Sequence, residues 1–361
     1  MKKQIKNLIK NLLSKLYWFL AFNRIKTYHK ARDIKFMRTF KNVHLTSQEK
    51  KAIRELWGNI DLTYHKMMKS VCGFNPMYCG NQFYVNKILP ITNPPNKVLG
   101  LRNKNLYDNY KHEILLPDTI VKNVKGIFIK DGKAITWNEA IEICLRESEF
   151  IIKPVESSGG ENIQKMNSAS YEKINDTFKL YKQDFIVQKI IKQSAITAKL
   201  NQSSLNTFRI NTLFLNDKLS VLSSNLRFGV NGAVVDNATA GGLNIKLREN
   251  GGFYDFAVNK YGKKITCMNG MNFSSMQIPN YERVENFAKE KHIKMFPHIG
   301  IIGWDFALDI DENIVCIEMN IVGPGIYSFQ FSGVPIFGDR TREIIDYVNQ
   351  RKNLRKKIFV I

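Results

Sequence analysis

The pattern of hydrophobic and polar positions predicts a chain that begins with helices and continues mainly with short strands. Apolar residues at helical spacing predict helices over Ser47–Ile60, Asn103–Leu116, Asn138–Ser148 and Arg340–Lys357. Ser47 is expected to be the N-cap of the first helix. Apolar runs on either side of Lys130–Lys133 predict a hairpin, and short strands are expected to dominate from Phe150 to Phe329. The pattern therefore indicates an α+β fold.

A second hairpin is predicted near the C-terminal end. The apolar runs Phe306–Ile310 and Ile314–Glu318 flank the polar segment Asp311–Asn313, which is typical of two strands joined by a turn. Side chains two residues apart point to the same side of a strand. Glu318 and Asn320 are therefore expected on one face of the second strand.

Asp305 begins the first strand of this hairpin and is expected opposite Glu318 and Asn320. Two carboxylates and an amide oxygen suit Mg²⁺, which takes a few such ligands and completes its shell with phosphate oxygens. An ordinary hairpin with acidic ends has the same pattern. Residues upstream are needed to decide between the two interpretations.

A candidate phosphate site follows the predicted strand Phe150–Pro154. This strand places Lys153 just before the loop Glu156–Asn162, and small residues fill the loop at Ser157, Ser158, Gly159 and Gly160. Small residues let backbone N–H groups approach phosphate oxygens, and the lysine adds a positive charge. No GK[ST] sequence is present, which excludes an ordinary P-loop. A plain Ser/Gly turn between strands is the alternative.

An apolar strand is predicted over Asp184–Ile191, followed by the polar segment Lys192–Ser194. An adenine ring needs an apolar slot with backbone donors and acceptors at a strand edge, which such a segment can provide. A simple core strand is the competing interpretation.

Two arginines stand in otherwise apolar strands. Arg209 precedes the strand Ile210–Leu215, and Arg227 lies on a neighbouring strand. Each arginine needs an anionic partner if it faces inward. A polar, glycine-rich loop then runs from Val235 through Gly241-Gly242 to the next strand.

Composition and cysteine usage indicate a folded protein of a reducing compartment. The 361 residues are 44% hydrophobic and 11% aromatic, which is enough for a large core and two or three lobes. The five cysteines are scattered and form no CxxC pair, so neither a disulfide framework nor a zinc site is indicated. A cytoplasmic location is expected.

The net charge of +22 is concentrated at the N-terminus. Residues 1–41 hold twelve Lys/Arg and one acid, Asp33, a balance of +11. Apolar residues from Ile5 to Phe19 recur at helical spacing between lysines, as in helices that lie on an anionic membrane surface. A helix docked on its own protein is the alternative. The apolar stretch Leu16–Phe22 is too short to span a bilayer, and no signal-peptide cleavage pattern follows it.

In chain order these features are a lysine, a Ser/Gly loop, an apolar strand, two strand arginines, a glycine-rich loop and an Asp…Glu-x-Asn hairpin. This order resembles the ATP-grasp superfamily. The segments Ser204–Arg209, Arg227–Gly229, Val235–Asn237 and Gly241-Gly242 are similar to its sugar-transfer-associated family, whose members are encoded among surface-polysaccharide genes. The resemblance covers about residues 95–345.

The resemblance implies a role for each matching residue. Nucleotide-binding residues would be Lys104, Lys153, Ser157, Ser158, Gly159, Gly160, Gln188, Lys189, Ile190 and Gln193. Among them, Ser157–Gly160 would form a mobile lid, Gln188–Ile191 the adenine slot, and Gln193 a ribose contact. Arg209 and Arg227 would face the γ-phosphate and, with Lys153, carry the catalysis. Asn206, Asp236, Asn237, Gly241 and Gly242 would bind the acceptor, and Asp305, Glu318 and Asn320 would hold Mg²⁺.

The function implied is an ATP-dependent carboxylate–amine ligase that forms an acyl phosphate. Its partners would be a uronic acid or related group of a capsule or O-antigen precursor and an amine such as an amino acid. A kinase that phosphorylates a glycan hydroxyl would use the same nucleotide residues. A non-catalytic basic protein that binds membrane or nucleic acid is a third possibility, but no helix-turn-helix, zinc finger or RNA-binding aromatic signature accompanies the charge. Nucleic acid is therefore not expected as a partner.

The resemblance also implies an ATP-grasp fold of two α+β lobes that clamp nucleotide. The expected division is a basic helix over 1–40, a helical N-terminal lobe over 41–95, a first ATP-grasp lobe over 96–190 and a second over 191–361. The protein would be cytoplasmic, and residues 1–22 would hold it peripherally on the inner face of the membrane.

Overall fold

The computed structural model describes residues 12, 43–156, 162–230, 232–233, 236 and 241–351. The chain divides into two compact units. The first unit takes its residues from the ranges 1–97, 261–263 and 325–361, and the second from 98–260 and 264–324. The second unit contains both β-sheets and the residues expected to bind nucleotide.

The helices lie mainly before and after the sheets. They are α1 (Ser47–Trp57), α2 (Thr63–Cys72), α3 (Asn81–Phe83), α4 (Leu89–Thr92), α5 (Pro95–Val98), α6 (Trp137–Leu145), α7 (Tyr171–Tyr181), α8 (Ala195–Ala198), α9 (Glu282–Met295) and α10 (Thr341–Gln350). A π-helical turn covers Tyr84–Ile88, and 3₁₀ turns cover Leu99–Arg102, Lys104–Tyr110, Phe273–Ser275, Ser328–Ser332 and Gly338–Arg340. Within the described ranges, no helix is both long enough and apolar enough to cross a bilayer.

In the first unit, one buried glutamine joins the N-terminal helices to the segment after residue 325. The Gln330 amide donates to the Tyr64 hydroxyl at 2.7 Å and to the Cys79 carbonyl at 3.0 Å. Its oxygen accepts from the backbone N–H groups of Cys79 and Ile336. All four bonds are buried, so the glutamine specifies how these segments pack.

The second unit begins with a six-stranded antiparallel sheet. Its strands are β1 (Thr119–Val124), β2 (Ile127–Lys130), β3 (Lys133–Ile135), β4 (Glu149–Pro154), β5 (Gln164–Asn167) and β6 (Phe185–Lys189), in the order β3-β2-β1-β6-β4-β5. The β2–β3 hairpin confirms the turn expected at Lys130–Lys133, with those two residues in register. Helices α6 and α7 cover one face, and their core includes Phe128, Phe178 and Phe185. Central strand β6 runs between β1 and β4, where both faces lie inside the lobe.

A seven-stranded antiparallel sheet follows. Its strands are β7 (Thr207–Leu215), β8 (Lys218–Phe228), β9 (Leu243–Leu247), β10 (Phe253–Val258), β11 (Lys264–Ile265), β14 (Ile301–Leu308) and β15 (Ile314–Asn320), in the order β11-β10-β9-β8-β7-β14-β15. The short pair β12 (Cys267–Met268) and β13 (Met271–Asn272) stands apart. Apolar residues Phe208, Leu226 and Trp304 belong to the core that also includes residues of α9. The alternate residues of the same strands therefore point to the opposite face.

Strands β14 and β15 form the second hairpin that the sequence predicted. Strand β15 also contains a bulge, which was not predicted. Asp305 pairs with Glu318, but Phe306 pairs with Cys316, so Ile317 is an extra residue in β15. A bulge reverses the alternation at one point. It explains why Cys316 and Met319, three residues apart, both belong to the same core.

Several predicted helix bounds are wrong. Thr46, not Ser47, is the N-cap of α1, because its hydroxyl accepts from the Glu49 N–H in a reciprocal capping box. The helix ends at Trp57 because Gly58 has φ +75°. The α-helix expected over Asn103–Leu116 is instead a 3₁₀ turn at Lys104–Tyr110.

Two other helices are shorter than expected. Helix α6 ends at Leu145 rather than Ser148, and α10 ends at Gln350. Residues 352–357 of the expected closing helix lie outside the described residues. The division into four domains stays a prediction. The boundaries of the two compact units differ from those of the predicted domains. The segment that begins at residue 325 belongs with the N-terminal unit and not with the second lobe.

Candidate active site

A buried carboxylate held by two arginines lies at the centre of the second unit. Asp305 on β14 is in register with Arg209 on β7. Nε of Arg209 donates to Oδ1 of Asp305, and its Nη2 donates to Oδ2 at 2.8 Å. Arg227 reaches the same Oδ2 at 3.1 Å. The anionic partner that an inward-facing strand arginine needs is therefore supplied by the chain itself.

The electrostatics of this group favour the charged forms. Burial would raise the pKa of Asp305, but the charges of Arg209 and Arg227 outweigh it and hold that pKa below its ordinary value. Burial likewise opposes the charge of Arg227, and Asp236 and Asp305 outweigh it and raise its pKa. The Asp305 carboxylate and the Arg227 guanidinium group are thus ionised, although Asp305 is only 2% exposed.

A second ion pair stands next to the first. Lys104 Nζ lies 2.9 Å from Glu318 Oε1, and Glu318 is the cross-strand neighbour of Asp305. The Lys104 side chain is 7% exposed, whereas that of Glu318 is 31% exposed. The lysine expected near the start of the Asn103–Leu116 segment therefore reaches the acidic hairpin.

Lys153 on β4 completes the cationic group. It is buried, and its pKa is lowered to about 8, first by burial and then by the charge of Lys104. The charge of Glu318 acts on it in the opposite direction. Lys104, Lys153 and Glu318 are therefore close enough to interact.

One tyrosine fixes the position of Lys104 relative to the hairpin. The Tyr107 hydroxyl accepts from the Met319 N–H at 3.0 Å and donates to the Met319 carbonyl at 3.3 Å. These bonds tie the 3₁₀ turn Lys104–Tyr110 to the edge strand β15. The Lys104 N–H also donates to the Val155 carbonyl at 3.4 Å, which joins the same turn to the end of β4.

A cleft of about 260 Å³ adjoins Lys153. Its apolar lining comes from Pro117, Ile151, Ile190, Ile191, Leu205 and Ile317. Gln188, Lys189, Lys192 and Gln193 supply polar groups. The segment expected to form the adenine slot thus lines a cleft that shares Lys153 with the cationic group, and such a mixture of apolar walls and few polar groups is typical of ligand sites.

Two residues expected to contact ligands instead support a loop. The Gln193 amide donates to the carbonyls of Asn201 and Ser204, both at 2.8 Å, and accepts from the Asn206 N–H. The Asn206 amide donates to the carbonyls of Thr197 and Asn201 and accepts from the Ser204 hydroxyl. Their roles toward ribose and acceptor stay predictions, whereas their structural bonds fix the loop before β7.

Asp236 lies beside the arginine group. Thr207 donates its hydroxyl to Asp236 and accepts at 2.7 Å from Nη2 of Arg227. Burial is the largest influence on the pKa of Asp236 and raises it, against the opposing charge of Arg227. The structure therefore brings this expected acceptor residue to the arginines that hold Asp305.

The remaining predicted residues divide into two sets. Lys189 points toward Asp118 and Glu147, with ion-pair distances of 4.0 and 3.8 Å, and Gly241 (φ +98°) with Gly242 leads into β9. The others lie outside the described residues and are Ser157, Ser158, Gly159, Gly160 and Asn237.

The expected metal ligands fit a cation that takes few protein oxygens. Asn320 donates its amide to Asp305 at 3.2 Å, which turns its amide oxygen away from that carboxylate. Among the described residues, no group of three or more His, Cys, Asp or Glu side chains could hold a metal ion. Two carboxylates and one amide are ligand types that Mg²⁺ takes when phosphate oxygens supply the rest of its shell. Asp305 is held by the two arginines and Glu318 is paired with Lys104, so their role as metal ligands stays a prediction.

Sequence reasoning missed Thr207, Tyr107 and the apolar residues of the cleft outside the segment Gln188–Ile191. Thr207 could have been found, because it is two residues before Arg209 and therefore on the same face of β7. Tyr107 gave no local signal, since its partner Met319 is 212 residues away. Ile317 lines the cleft from the bulge, which alternation alone does not predict.

The structure thus brings a lysine and arginine cluster, an acidic hairpin and an apolar cleft together in the second unit. The chain belongs to the sugar-transfer associated ATP-grasp family, whose model matches residues 85–344. This match confirms the ATP-grasp membership and the α+β fold class expected from the sequence. A comparison with curated protein sequences found no match.

Solved structures that are similar to this chain include one synthetase and two ligases. D-cycloserine synthetase DcsG is 12% identical, with a TM-score of 0.43 and coverage of 72% of this chain and 73% of that one. The D-alanine–D-alanine ligase from Coxiella burnetii is 12% identical, with a TM-score of 0.37 and coverage of 73% and 60%. The VanG D-Ala:D-Ser ligase from Enterococcus faecalis is 13% identical, with a TM-score of 0.39 and coverage of 76% and 64%. Likenesses of this size assign no substrate to the chain.

Proposed function

We propose that this protein is an ATP-dependent carboxylate–amine ligase that acts through an acyl phosphate. The observation that carries the proposal is the meeting of Arg209, Arg227 and Lys104 with Asp305 and Glu318 on adjoining strands. Phosphoryl transfer demands positioned cations and little covalent chemistry from the protein. The family match supports the use of ATP.

In the first step, a carboxylate oxygen of the acceptor attacks the γ-phosphorus of ATP. The bond from that phosphorus to the bridging oxygen breaks, and ADP leaves with the electron pair. Lys153 and Lys104 neutralise phosphate charge, and Arg209 and Arg227 hold the reacting carboxylate and phosphoryl group in line. Asp305, Glu318 and Asn320 would hold Mg²⁺, which would neutralise further phosphate charge.

In the second step, the amine nitrogen attacks the carbonyl carbon of the acyl phosphate. The carbon–oxygen bond to phosphate breaks, and inorganic phosphate leaves. Asp236 takes the proton that the amine loses, a role supported by its place beside Arg227 and by burial, which raises its pKa.

The acceptor we propose is a uronic acid or related group of a surface-polysaccharide precursor. The sugar-transfer description of the family supports it. The arginine pair is consistent with an anionic acceptor, because a planar guanidinium binds a carboxylate by two hydrogen bonds.

Product analysis tests this proposal. The purified chain is incubated with Mg-ATP, a panel of uronic-acid glycans and amino acids, and the products are separated. ADP, inorganic phosphate and an amide are expected, and Glu318→Gln should abolish them because it removes one charge without changing shape. AMP with pyrophosphate would contradict the ligase proposal, and ADP with a phosphorylated glycan and no free phosphate would favour the kinase.

We propose further that residues 1–22 hold the protein on the cytoplasmic face of the membrane. The +11 balance of residues 1–41 supports it, since each lysine or arginine near an anionic surface adds roughly 1 kcal/mol of attraction. Deleting residues 1–22 should move the protein from vesicles of anionic lipid to the supernatant at low salt. Unchanged sedimentation would contradict an anchoring role.

A further inference from the structure

Each arginine that holds Asp305 has a buried asparagine as its cross-strand neighbour. Arg209 is in register with Asn225, and Arg227 is in register with Asn244. Residues directly opposite in an antiparallel pair point to the same face of the sheet. Asn225 and Asn244 therefore lie on the Asp305 face, in the next row of side chains.

A third asparagine extends this row toward the metal hairpin. Asn211 follows Arg209 by two residues on β7 and is in register with Gly303. A Cβ at Gly303 would lie 3.0 Å from the Asn211 amide oxygen and 3.4 Å from Cβ of Asn320. The missing side chain of Gly303 thus leaves room for the Asn211 amide beside Asn320.

The three amides are buried but not satisfied. Asn211, Asn225 and Asn244 are 0%, 1% and 4% exposed. Within the part of the chain that the structure describes, the side-chain oxygens of all three and the nitrogen of Asn244 have no hydrogen-bond partner. The Asn211 nitrogen donates to Ser223 at 2.7 Å.

This lack of partners is not a general property of asparagines in the second sheet. Asn206, one residue before β7 and five before Asn211, has its amide nitrogen and oxygen in hydrogen bonds with its own loop. Buried polar atoms without partners are uncommon in folded proteins and call for a missing partner. Four such atoms lie on the face that carries the arginines. This indicates that a ligand supplies their missing hydrogen-bond partners.

We propose that Asn211, Asn225 and Asn244 form a subsite that binds the hydroxyl groups of the acceptor, and that the acceptor is therefore a polyhydroxylated carboxylate such as a sugar acid. The inference rests on the proposed function, which places the reacting carboxylate at Arg209 and Arg227. Amides are neutral and can both donate and accept, as hydroxyl groups do. A row of amides next to a guanidinium pair therefore matches a molecule with one charged end and a hydroxylated body.

Titration calorimetry with four small probes tests the subsite in the full-length chain. With saturating ADP and Mg²⁺, the probes are glucuronic acid, galacturonic acid, cyclohexanecarboxylic acid and glucose. At least one sugar acid should bind roughly tenfold or more tightly than cyclohexanecarboxylic acid, which lacks hydroxyls, and than glucose, which lacks the carboxylate. Equal affinity for cyclohexanecarboxylic acid and both sugar acids, or no binding of either sugar acid, would overturn the proposal.

Asn225→Leu and Asn244→Leu test the residues. Each variant should weaken sugar-acid binding roughly tenfold and leave the dissociation constant of ADP unchanged. Each should also keep or raise the melting temperature, because leucine has a similar volume and no unsatisfied amide. Ser224→Ala is the control, since Ser224 neighbours Asn225 but bonds to Glu285 on the opposite face. Unchanged sugar-acid affinity, or a lower melting temperature in both leucine variants, would show that the amides are structural.

The two proposals fail in different ways. Binding of a sugar acid without any ligation would contradict the ligase but not the subsite. Ligation of an acid that carries no hydroxyl groups, at the same rate as a sugar acid, would contradict the subsite but not the ligase.

Discussion

At the scale of single residues, the site depends on buried charges that compensate one another. Asp305 is hydrogen-bonded by Arg209 and lies 3.1 Å from Arg227, and all three are largely removed from water. Desolvation makes such charges costly unless each has a partner. The two guanidinium groups therefore offset the charge of the buried carboxylate within the protein itself.

Removing Asp305 should therefore destabilise the protein strongly. Asp305→Ala leaves two buried guanidinium groups without their shared partner, and we expect a loss of roughly 3–5 kcal/mol in the free energy of unfolding by urea. Adding Arg209→Met to the Asp305→Ala variant should recover part of the lost stability, because it removes one of the uncompensated charges. Asp346→Ala, at an exposed site on α10, is the control and should change little. A small effect of Asp305→Ala would contradict the charge balance described here.

Lys153 should give nucleotide binding a dependence on alkaline pH. Its pKa is lowered to about 8, so the side chain is charged at neutral pH and loses its proton above that value. Phosphates bind the charged form, and the dissociation constant of ADP should rise up to roughly tenfold per pH unit above pH 8. Lys153→Arg keeps its charge and should remove this rise between pH 7 and 9.5, as measured by calorimetry. Identical pH profiles for both proteins would show that Lys153 does not contact the phosphates.

The sequence predicted that Arg209 needs an anionic partner, but it did not predict which residue supplies that partner. Arg209 in an apolar strand signals an anion, and the resemblance implied phosphate, but Asp305 fills the place in this structure. The pairing depends on β7 lying next to β14, although the two residues are 96 positions apart. Local patterns contain no information about such a strand order.

At the scale of elements, the β14–β15 hairpin sets the geometry of the site. Its register places Asp305 opposite Glu318, as expected. The pairing of Gly303 with Asn320 and the bulge at Ile317 were not expected. A bulge inserts one residue without changing the apolar composition of a strand. Alternation over Ile314–Glu318 is therefore compatible with the regular and the bulged strand.

Gly303 is the position where this element is most sensitive to one added methyl group. A Cβ there would meet the Asn211 oxygen at 3.0 Å and Cβ of Pro324 at 3.3 Å, so Gly303→Ala should cost roughly 1–3 kcal/mol of stability and weaken Mg²⁺-dependent ADP binding. Gly323→Ala is the matched control, because a Cβ at Gly323 meets nothing within 4 Å. Equal melting temperatures and ADP affinities for both variants would contradict the close approach.

The 3₁₀ turn that carries Lys104 lies where apolar periodicity wrongly predicted an α-helix. Apolar spacing over Asn103–Leu116 predicted an α-helix, but the segment holds Asn103, Asn105 and Asp108, which favour caps and turns over helix interiors. The Tyr107 hydroxyl then fixes the turn to the backbone of β15. A distant contact of this kind overrides helical periodicity and gives Lys104 its place beside Glu318.

At the scale of the whole molecule, each compact unit contains a buried neutral histidine. Burial lowers the pKa of His65 in the first unit and of His292 in the second to about 4. In the second unit, Nε2 of His292 donates to the Ile299 carbonyl at 2.8 Å, and Nδ1 accepts from Thr212 at 2.7 Å. Thr212 also accepts from the Trp304 indole at 3.1 Å, so this histidine supports β14 from its core face.

Both units should therefore lose stability in mild acid. An unfolded histidine takes up a proton below about pH 6.5, whereas these two resist protonation until about pH 4. Their contribution is fully present above pH 6.5 and is lost as the pH falls to 4, by roughly 3 kcal/mol for each. Urea midpoints should fall between pH 7 and 4.5, less steeply in His292→Leu than in His298→Gln, which alters an exposed histidine. Flat midpoints over this range would contradict the burial of both rings.

The fold class of the whole chain could be predicted from the sequence, whereas the grouping of its segments into compact units could not. The order of motifs indicated the ATP-grasp family and its antiparallel sheets, because lysine, arginine and acidic positions recur in a fixed sequence along β4, β7, β8 and the β14–β15 hairpin. The grouping of the segment after residue 325 with the N-terminal unit was not predicted. It depends on buried bonds such as those of Gln330 to Tyr64 and Cys79, for which an isolated glutamine in the sequence gives no signal.

The central claim is that the clustered cations transfer the γ-phosphoryl group to a carboxylate. The most direct test uses a sugar acid labelled with ¹⁸O in its carboxylate, incubated with the full-length chain, Mg-ATP and an amine. An acyl phosphate passes one labelled oxygen to inorganic phosphate when the amine attacks, so mass spectrometry should find one ¹⁸O in each phosphate released. Amide formation with unlabelled phosphate, or release of labelled AMP, would contradict the account.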